Sequence, residues 1–191
     1  MATGYPLAGR LVGLGPLRRE LVPLYAAWSN DRETSRTAGL SWPMTDDGAE
    51  REYERRSWAE DGAYFTIHEL DRGLAIGFCH LYEISQRHRR ASFGITIGDA
   101  EFRGRGCGTE ATGLALSYAF DELQLRNVML TTVDFNHAGI RAYRKAGFTE
   151  FGRRRACSAA GGRLVDLIYM ECLAEEWRRL GLEEGLEVGE G

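Results

Sequence analysis

The chain has 191 residues, of which 43% are hydrophobic and 27% are charged. This length and composition predict one globular domain and exclude a disordered protein. The formal net charge of −4 argues against a general binder of nucleic acids or anionic membranes. No apolar run approaches the roughly 20 residues of a membrane span. Met1–Pro6 lacks the features of a secretory signal, so we expect a cytoplasmic protein.

The cysteines predict neither a metal site nor a disulfide framework. Cys79, Cys107, Cys157 and Cys172 are too far apart for a Cys-x-x-Cys zinc arrangement. In a cytoplasmic protein, scattered thiols of this kind are most often reduced and structural. We therefore expect no metal.

The first half of the chain predicts two helices and three strands. Apolar residues at helical spacing predict a helix over Pro16–Trp28, which Pro23 would kink or divide. A second helix is predicted over Thr45–Trp58, with Thr45 as its N-cap. The polar stretch Ser29–Gly48 is expected to be irregular. The predicted strands are Arg10–Leu14, Ala63–Glu69 and Ala75–Tyr82.

The middle of the chain carries a pattern that is typical of phosphate binding. Ala91–Ile97 alternates like a strand, and Ala111–Glu122 has the apolar face of a helix. The Gly- and Arg-rich segment Phe102–Glu110 lies between them. Glycines let the backbone approach phosphate oxygens, and the unpaired N–H groups and dipole of a helix start favour negative charge. The sequence therefore predicts a pyrophosphate site.

The spacing within this segment excludes the commoner phosphate loops. A dinucleotide fingerprint starting at Gly104 would need glycine where Thr109 stands, and the lysine of a Walker loop is missing. The residues fit Arg-x-x-Gly-x-Gly instead, through Arg103, Gly106 and Gly108. A turn without a ligand is the other interpretation of this motif.

A second motif follows the predicted strand Val128–Val133. Asn136–Phe148 fits Asn-x-x-Ala/Ser-x-x-x-Tyr-x-Lys-x-Gly-Phe, with Gly139 at the position of Ala or Ser. Together the two motifs resemble those of the GNAT acetyltransferase superfamily. The run Leu81–Phe93 is similar to the corresponding hairpin of spermidine N-acetyltransferases, in the RimJ/RimL-like branch.

The resemblance implies a single α/β (α+β) domain with the GNAT fold over residues 9–177, followed by an acidic, mobile tail over residues 178–191. Two further strands, the second over Leu164–Met170, complete the order β-α-α-β-β-β-α-β-α-β-β. In the family this order forms a mixed, mostly antiparallel sheet of six to seven strands with helices on both faces. The sheet opens between the strands that end at Ile97 and Val133, and the acyl-pantetheine arm lies in that wedge.

The implied co-substrate is acetyl-CoA. Backbone pairing at Ile95, Thr96 and Ile97 would hold the pantetheine arm and present an N–H to the oxyanion. Asn136 is implied as a pantetheine contact or as a helix N-cap, and Lys145 either contacts the 3′-phosphate region or is solvated. The loop residues whose backbone would surround the pyrophosphate are Arg103, Gly104, Arg105, Gly106, Cys107, Gly108 and Thr109. The side chains of its two arginines add positive charge or are solvated.

Two residues are candidates for proton transfer. Tyr143 is the candidate general acid, because a phenol with a pKa near ~10 stays protonated at neutral pH and can protonate a thiolate. The other interpretation is an aromatic residue packed beside Ile140 and Phe148. Glu83 follows an apolar strand and, as the resemblance implies, faces the acceptor end, which makes it the candidate base or a ligand for a cationic acceptor. Acids at strand ends are also common without any function.

Further acids lie where the family binds its acceptor, and they either bind a polyamine or form a solvated helix face. Trp42 and Trp58 either line a pocket for a bulkier acceptor or belong to the core. The acids are Glu33, Asp46, Asp47, Glu50 and Glu54.

The sequence thus predicts an N-acyltransferase that moves an acetyl group from acetyl-CoA to a primary amine by direct attack in a ternary complex. The acceptor is left open between a polyamine, a protein N-terminus and a small-molecule amine. The alternatives are a CoA-binding sensor without turnover and a transferase for a different acyl-CoA. Neither nucleic acid nor membrane is an expected partner. Because family members often form dimers or larger assemblies, a homo-oligomer also stays open.

Overall fold

A computed structural model describes residues 5–38, 43–160 and 162–181, and within these ranges the chain forms one open sheet of eight strands. The strands are β1 (Leu7–Ala8), β2 (Val12–Pro16), β3 (Ala63–Glu69), β4 (Leu74–Ser85), β5 (Arg90–Ile97), β6 (Asn127–Val133), β7 (Thr149–Ala160) and β8 (Arg163–Leu173). Their order across the sheet is β1-β2-β3-β4-β5-β6-β8-β7. All neighbouring pairs are antiparallel except β5 and β6, which are parallel.

Helices cover both faces of the sheet. They are α1 (Val22–Asn30), α2 (Arg32–Ala38), α3 (Asp46–Ser57), α4 (Cys107–Ser117), α5 (His137–Lys145) and α6 (Ala174–Arg179). Along β4, Phe78 faces α1, where its ring lies 6.1 Å from that of Tyr25. The next residue, Cys79, belongs to the core that packs against α4. Since neighbouring residues of a strand point to opposite faces, α1 and α4 lie on opposite sides of the sheet.

The main core lies between the sheet and α4. Ile67, Leu81 and Leu114 there are at most 1% exposed. A smaller apolar cluster around Val22 and Ala49 joins α1 to α3 on the other face. Burial of both clusters stabilises the fold, because apolar surface leaves water on both sides of the sheet.

The sheet opens into a wedge in its middle. β5 pairs with β6 only at its first three residues, from Arg90 opposite Asn127 to Ser92 opposite Met129. Beyond Ser92, β5 keeps its pairing with β4, while β6 keeps its pairing with β8. One edge of β5 is therefore unpaired within the described chain, as the resemblance implies.

The predicted mixed, mostly antiparallel sheet with helices on both faces is confirmed, and the number of strands is corrected from six or seven to eight. The additional edge strand is β1, whose two residues pair with Gly13 and Leu14. Two residues are too few for a periodic pattern, so sequence reasoning misses such a strand. The prediction of strand Ala63–Glu69 agrees with β3 in both bounds, and the prediction that Thr45 caps α3 is confirmed by its contact with the Gly48 N–H at 3.1 Å.

The first two helices differ from the prediction. The helix begins at Val22 rather than Pro16, so Pro23 stands in its first turn and does not kink it. A proline is tolerated there because the first N–H groups of a helix have no intrahelical partner. The stretch predicted to be irregular contains α2, whose start is stabilised by Asp31, which accepts hydrogen bonds from the N–H and hydroxyl of Thr34, both at 2.9 Å.

The remaining findings concern the end of the chain and the membrane. The helix α6, which was not predicted, follows β8, and its Trp177 is fully buried beside Phe120 with ring centroids 5.6 Å apart. The acidic tail beyond residue 181 lies outside the described residues. Among the described helices, none combines the length and the apolar character that crossing a membrane requires.

Candidate active site

The unpaired edge of β5 presents backbone groups of alternate residues. Gly98 donates its N–H to the Ile76 carbonyl of β4 at 2.9 Å. Since every second residue of an antiparallel strand bonds the same neighbour, this bond determines which residues of β5 bond to β4. Gly94 and Thr96 therefore turn their backbone groups towards β4, and those of Ile95 and Ile97 point across the wedge.

This alternation corrects one predicted contact. The Thr96 carbonyl lies against Gly77 of β4, so close that a Cβ on Gly77 would collide with it. The backbone of Thr96 is thus occupied in the sheet, while Ile95 and Ile97 keep the orientation that the predicted pantetheine pairing needs.

The phosphate loop has the backbone geometry that its glycines predict. Gly104 and Gly106 have φ values of 74° and 92°, in the region that only glycine adopts at no steric cost. α4 begins at Cys107, and its first intrahelical bond runs from the Glu110 N–H to the Gly106 carbonyl at 3.0 Å. The N–H groups of Cys107, Gly108 and Thr109 therefore have no intrahelical partner and are available to an anion.

The loop adjoins the end of β5. A Cβ built on Gly108 would lie 3.4 Å from Cγ1 of Ile97. The anion site and the unpaired strand edge are thus neighbours, which suits one extended ligand that carries both a pyrophosphate and an amide-containing arm.

Glu110 stands in the first turn of α4, where an acid would compete with a bound anion. Its side chain instead accepts hydrogen bonds from the N–H groups of Leu11 and Val12, at 2.7 and 3.2 Å. The carboxylate thus joins α4 to β2 and leaves the helix start to its N–H groups.

The Arg103 side chain does not extend into solvent. Its guanidinium donates to the carbonyls of Ile97 and Gly98, at 2.9 and 3.0 Å. It also bonds Asp31 at 3.1 Å and Glu33 at 2.9 Å, at the junction of α1 and α2. The side chain of Arg103 therefore joins the end of β5 to the α1–α2 junction and is not simply solvated, while the contact of the Arg103 backbone with a pyrophosphate stays a prediction.

Hydrogen bonds hold Asp31 in its charged form. The N–H and hydroxyl of Thr34, followed by the guanidinium of Arg103, together lower the pKa of the Asp31 carboxyl to about 2. Arg103 thus faces an anionic partner at every pH of interest.

Arg105 is the arginine of the loop whose charge remains accessible. Its side chain is exposed, lies 4.0 Å from Glu101 and approaches the ring of Phe102 at 5.9 Å. An exposed pair at that distance is weak, so Arg105 can turn towards a phosphate group.

Asn136 caps α5 with its side chain. Its Oδ1 accepts from the Gly139 N–H at 3.0 Å, and its Nδ2 donates to the Thr132 hydroxyl at 3.0 Å. The predicted capping role is confirmed, and the pantetheine contact stays a prediction. A Cβ on Gly139 would lie 2.5 Å from Nδ2 of Asn136, which explains why glycine suits this position here.

Tyr143 is buried on the side of the sheet that carries α4. Its ring meets that of Phe148 edge-on at 6.1 Å, and Phe148 in turn stacks with Phe93 of β5 at 6.2 Å. Burial raises the pKa of the Tyr143 phenol to about 12. No residue in the described ranges bonds its hydroxyl, and the role of Tyr143 as general acid stays a prediction.

Lys145 lies in the last turn of α5 with its side chain exposed. It forms no ion pair with any residue of the described ranges. Both predicted roles, a contact with the 3′-phosphate region and a solvated side chain, fit this position.

Glu83 occupies a distorted position at the narrow end of the wedge. Its φ of 52° is left-handed, and a bulge interrupts the pairing of β4 between Tyr82 and Ser85. Its carboxylate accepts the Ser92 hydroxyl at 3.0 Å, and Ser92 is the last residue of β5 that pairs with β6. Left-handed conformations of non-glycine residues concentrate at functional sites, which supports the candidate role of Glu83.

His80 is a residue that sequence reasoning did not assign to the site. It lies opposite Gly94 in the middle of the wedge segment, where a Cβ on Gly94 would lie 2.7 Å from His80 Nε2. Its Nδ1 is buried without a hydrogen-bond partner in the described chain. Burial, followed by the charge of Arg56, lowers the pKa of the His80 imidazole to about 3. Phe78, His80 and Tyr82 are alternate residues of one predicted strand, and this spacing could have indicated that the three rings share one face of the sheet.

These features define the class of protein. A family profile for the acetyltransferase (GNAT) domain matches residues 12–149, and the chain belongs to this family. It is 32% identical over 119 residues to the Bacillus subtilis (strain 168) protein YdaF, named as a ribosomal N-acetyltransferase. That match covers 60% of this chain and 64% of YdaF. It is 40% identical over 80 residues to the spermidine N(1)-acetyltransferase of Escherichia coli (strain K12), covering 42% of each. The matched segments span less than two thirds of these curated relatives.

A solved structure shows the same fold. The spermidine N-acetyltransferase from Vibrio cholerae, in complex with CoA and spermine, has a TM-score of 0.82 and 24% sequence identity to this chain. The match covers 88% of this chain and 98% of that one. The predicted membership of the GNAT superfamily, with spermidine N-acetyltransferases as relatives, is thereby confirmed.

Proposed function

We propose that this chain is an N-acetyltransferase that moves an acetyl group from acetyl-CoA to a primary amine. The observation that carries the proposal is the unpaired edge of β5, which ends beside the free N–H groups at the start of α4. A pantetheine arm would add to this edge as a strand does, and the pyrophosphate would take the helix start. Arg105 would contribute a positive charge there.

The reaction is a direct attack within a ternary complex. The amine nitrogen forms a bond to the thioester carbon, the C–S bond breaks, and CoA leaves as a thiolate. An N–H of Ile95 or Ile97 would stabilise the oxyanion that forms in between. Both substrates must be bound together, so no acyl group is carried on a side chain of the protein.

Two residues would move the protons. Glu83 takes one from the attacking amine, directly or through a water molecule, and Tyr143 gives one to the departing thiolate. Glu83 bonds Ser92, whose side chain faces α1–α3, whereas Tyr143 lies on the face of α4. An amine entering from the α1–α3 side would thus meet a thioester held from the α4 side.

The test is the release of free CoA thiol from acetyl-CoA across polyamines, peptides with a free N-terminus and small-molecule amines. We expect release with one class of acceptor and CoA binding in calorimetry. CoA binding without release on any amine would favour a CoA sensor, or a donor with a different acyl group. Absence of CoA binding would contradict the proposal as a whole.

A further inference from the structure

A narrow pocket opens on the α1–α3 side of the sheet, next to the strand that borders the wedge. Its free volume is about 30 Å³, which takes only the end of a slender group, so that a longer body must lie along its walls. The side chains that decide its character are Tyr25, Met44, Glu52, Tyr53, Arg56 and Phe78.

Glu52 is the carboxylate of this lining, and its charge is already compensated. Arg55 donates to it through Nε and NH2, both at 2.8 Å, and Arg56 donates through Nε at 2.7 Å. The Arg55 hydrogen bond is the largest cause that lowers the pKa of Glu52 to about 2. Glu52 therefore already bonds two guanidinium groups, of which Arg56 also lines the pocket, and it offers no unpaired negative charge to a ligand.

Arg56 also covers the aromatic faces that would attract a second cation. Its guanidinium lies 5.4 Å from the ring of Phe78 and 5.5 Å from that of Tyr64. Cation–π attraction at these rings is therefore already used by the protein. An additional ammonium group would lose its water and meet a like charge.

Three acids outside the pocket lining are compensated in the same way. Arg19 forms ion pairs with Glu50 and with Glu54, the latter at 3.3 Å. On the other side, Glu33 is held by Arg103. These are acids that the sequence offered for a polyamine, and each has an arginine partner in the described chain.

We propose that the acceptor is a primary amine on an uncharged apolar body, and that this chain discriminates against polyamines. The inference rests on the proposed function and specifies its substrate. The amine must enter the wedge, where it reacts, while the rest of the molecule lies along aromatic walls whose carboxylate, Glu52, is already paired with arginines. Apolar surface gains by burial there, and a second ammonium group does not.

The test compares hexylamine with hexamethylenediamine, which share one carbon chain and differ in the second ammonium group. We expect kcat/KM for hexylamine to exceed that for the diamine and for spermidine by about tenfold or more. Binding of each amine to the CoA-loaded protein is measured in parallel by calorimetry. Arg56→Gln should lower the ratio of kcat/KM for hexylamine to that for the diamine. In this variant Glu52 keeps one arginine partner, and the rings of Phe78 and Tyr64 are no longer covered by a guanidinium. Arg51→Gln, on the same helix and exposed, changes the net charge equally and should leave the preference unaltered.

The binding of the amines distinguishes a failure of this inference from a failure of the proposed transferase activity. Tighter binding or faster turnover of the diamine or spermidine would overturn the inference, as would an equal response to Arg56→Gln and Arg51→Gln. Preferential binding of hexylamine without thiol release would support the pocket assignment and contradict the proposed transferase activity alone.

Discussion

The guanidinium of Arg103 donates to the carbonyl oxygen of Ile97 at 2.9 Å. This contact occupies the last carbonyl on the unpaired edge of β5 and fixes the point where the wedge ends. The same side chain reaches Glu33 of α2. The Gly- and Arg-rich loop, the end of β5 and the α1–α2 junction are therefore held together by one residue.

Replacing Arg103 should destabilise the fold, whereas replacing Arg105 should not. Arg103→Gln removes several charge-assisted hydrogen bonds that share one partly exposed side chain, so their contributions do not add, and we expect the free energy of unfolding to fall by about 2–3 kcal/mol. Arg105→Gln should weaken acetyl-CoA binding in a salt-dependent way at unchanged stability. Denaturant unfolding and CoA calorimetry measure both effects. Equal loss of stability in the two variants would contradict the assignment.

Tyr143→Phe should lower kcat by about 100-fold or more with little change in acetyl-CoA affinity. The phenylalanine keeps the edge-on contact with Phe148 and removes only the proton that would go to the thiolate. Steady-state kinetics and CoA calorimetry separate the two quantities. Unchanged turnover would remove Tyr143 from the mechanism.

The effect of Gly139→Ala on the free energy of unfolding should depend on whether the side chain of Asn136 is present. In the wild-type protein the new Cβ would displace the Asn136 side chain and cost the helix cap, about 1 kcal/mol. In the Asn136→Ala background the same substitution should stabilise by up to about 1 kcal/mol, because alanine favours a helix over glycine. A double-mutant cycle in urea measures the coupling. Purely additive effects would show that the predicted clash does not matter.

Glu83→Gly should separate stability from activity. The substitution relieves the left-handed backbone at φ 52° and should stabilise the fold by up to about 1 kcal/mol, while turnover falls because the carboxylate is lost. Ala156→Gly is the matched control, since Ala156 has φ 48° away from the wedge. It should gain stability at full activity. If Glu83→Gly stays fully active, the base must be another group.

His80 should make stability depend on pH. An imidazole in the unfolded chain titrates near ~6.5, and in the folded protein burial lowers the pKa of His80 to about 3. Below pH ~6.5 the unfolded state therefore binds a proton that the folded state does not, and the free energy of unfolding decreases as the pH falls towards about 3.

The pH effect is measured by denaturant unfolding between about pH 6.5 and pH 5, above the main titration of the carboxylates. One such histidine contributes a slope of about 1.4 kcal/mol per pH unit at most. His80→Gln should remove that contribution, while the burial that lowers the pKa of His68 leaves a remaining slope in both proteins. Identical slopes would show that His80 is protonated in the folded state.

Local features of the sequence determined the family, the two motifs and most of the strands. Glycines at Gly104 and Gly106 and the N-cap at Asn136 act within a few residues, so their geometry follows from the chain alone. Periodicity likewise located β3, since one face of that strand must be buried in any sheet.

Tertiary structure decided the contacts that act across the chain. The bond between Arg103 and Glu33 joins residues 70 positions apart, and the register of β5 against β4 turns the Thr96 backbone away from the wedge. The pairing of Glu52 with arginines decides whether an acid can serve a cationic acceptor. Periodicity and capping report on neighbours along the helix or strand, whereas ion-pair partners and strand register are chosen by the packing of distant elements.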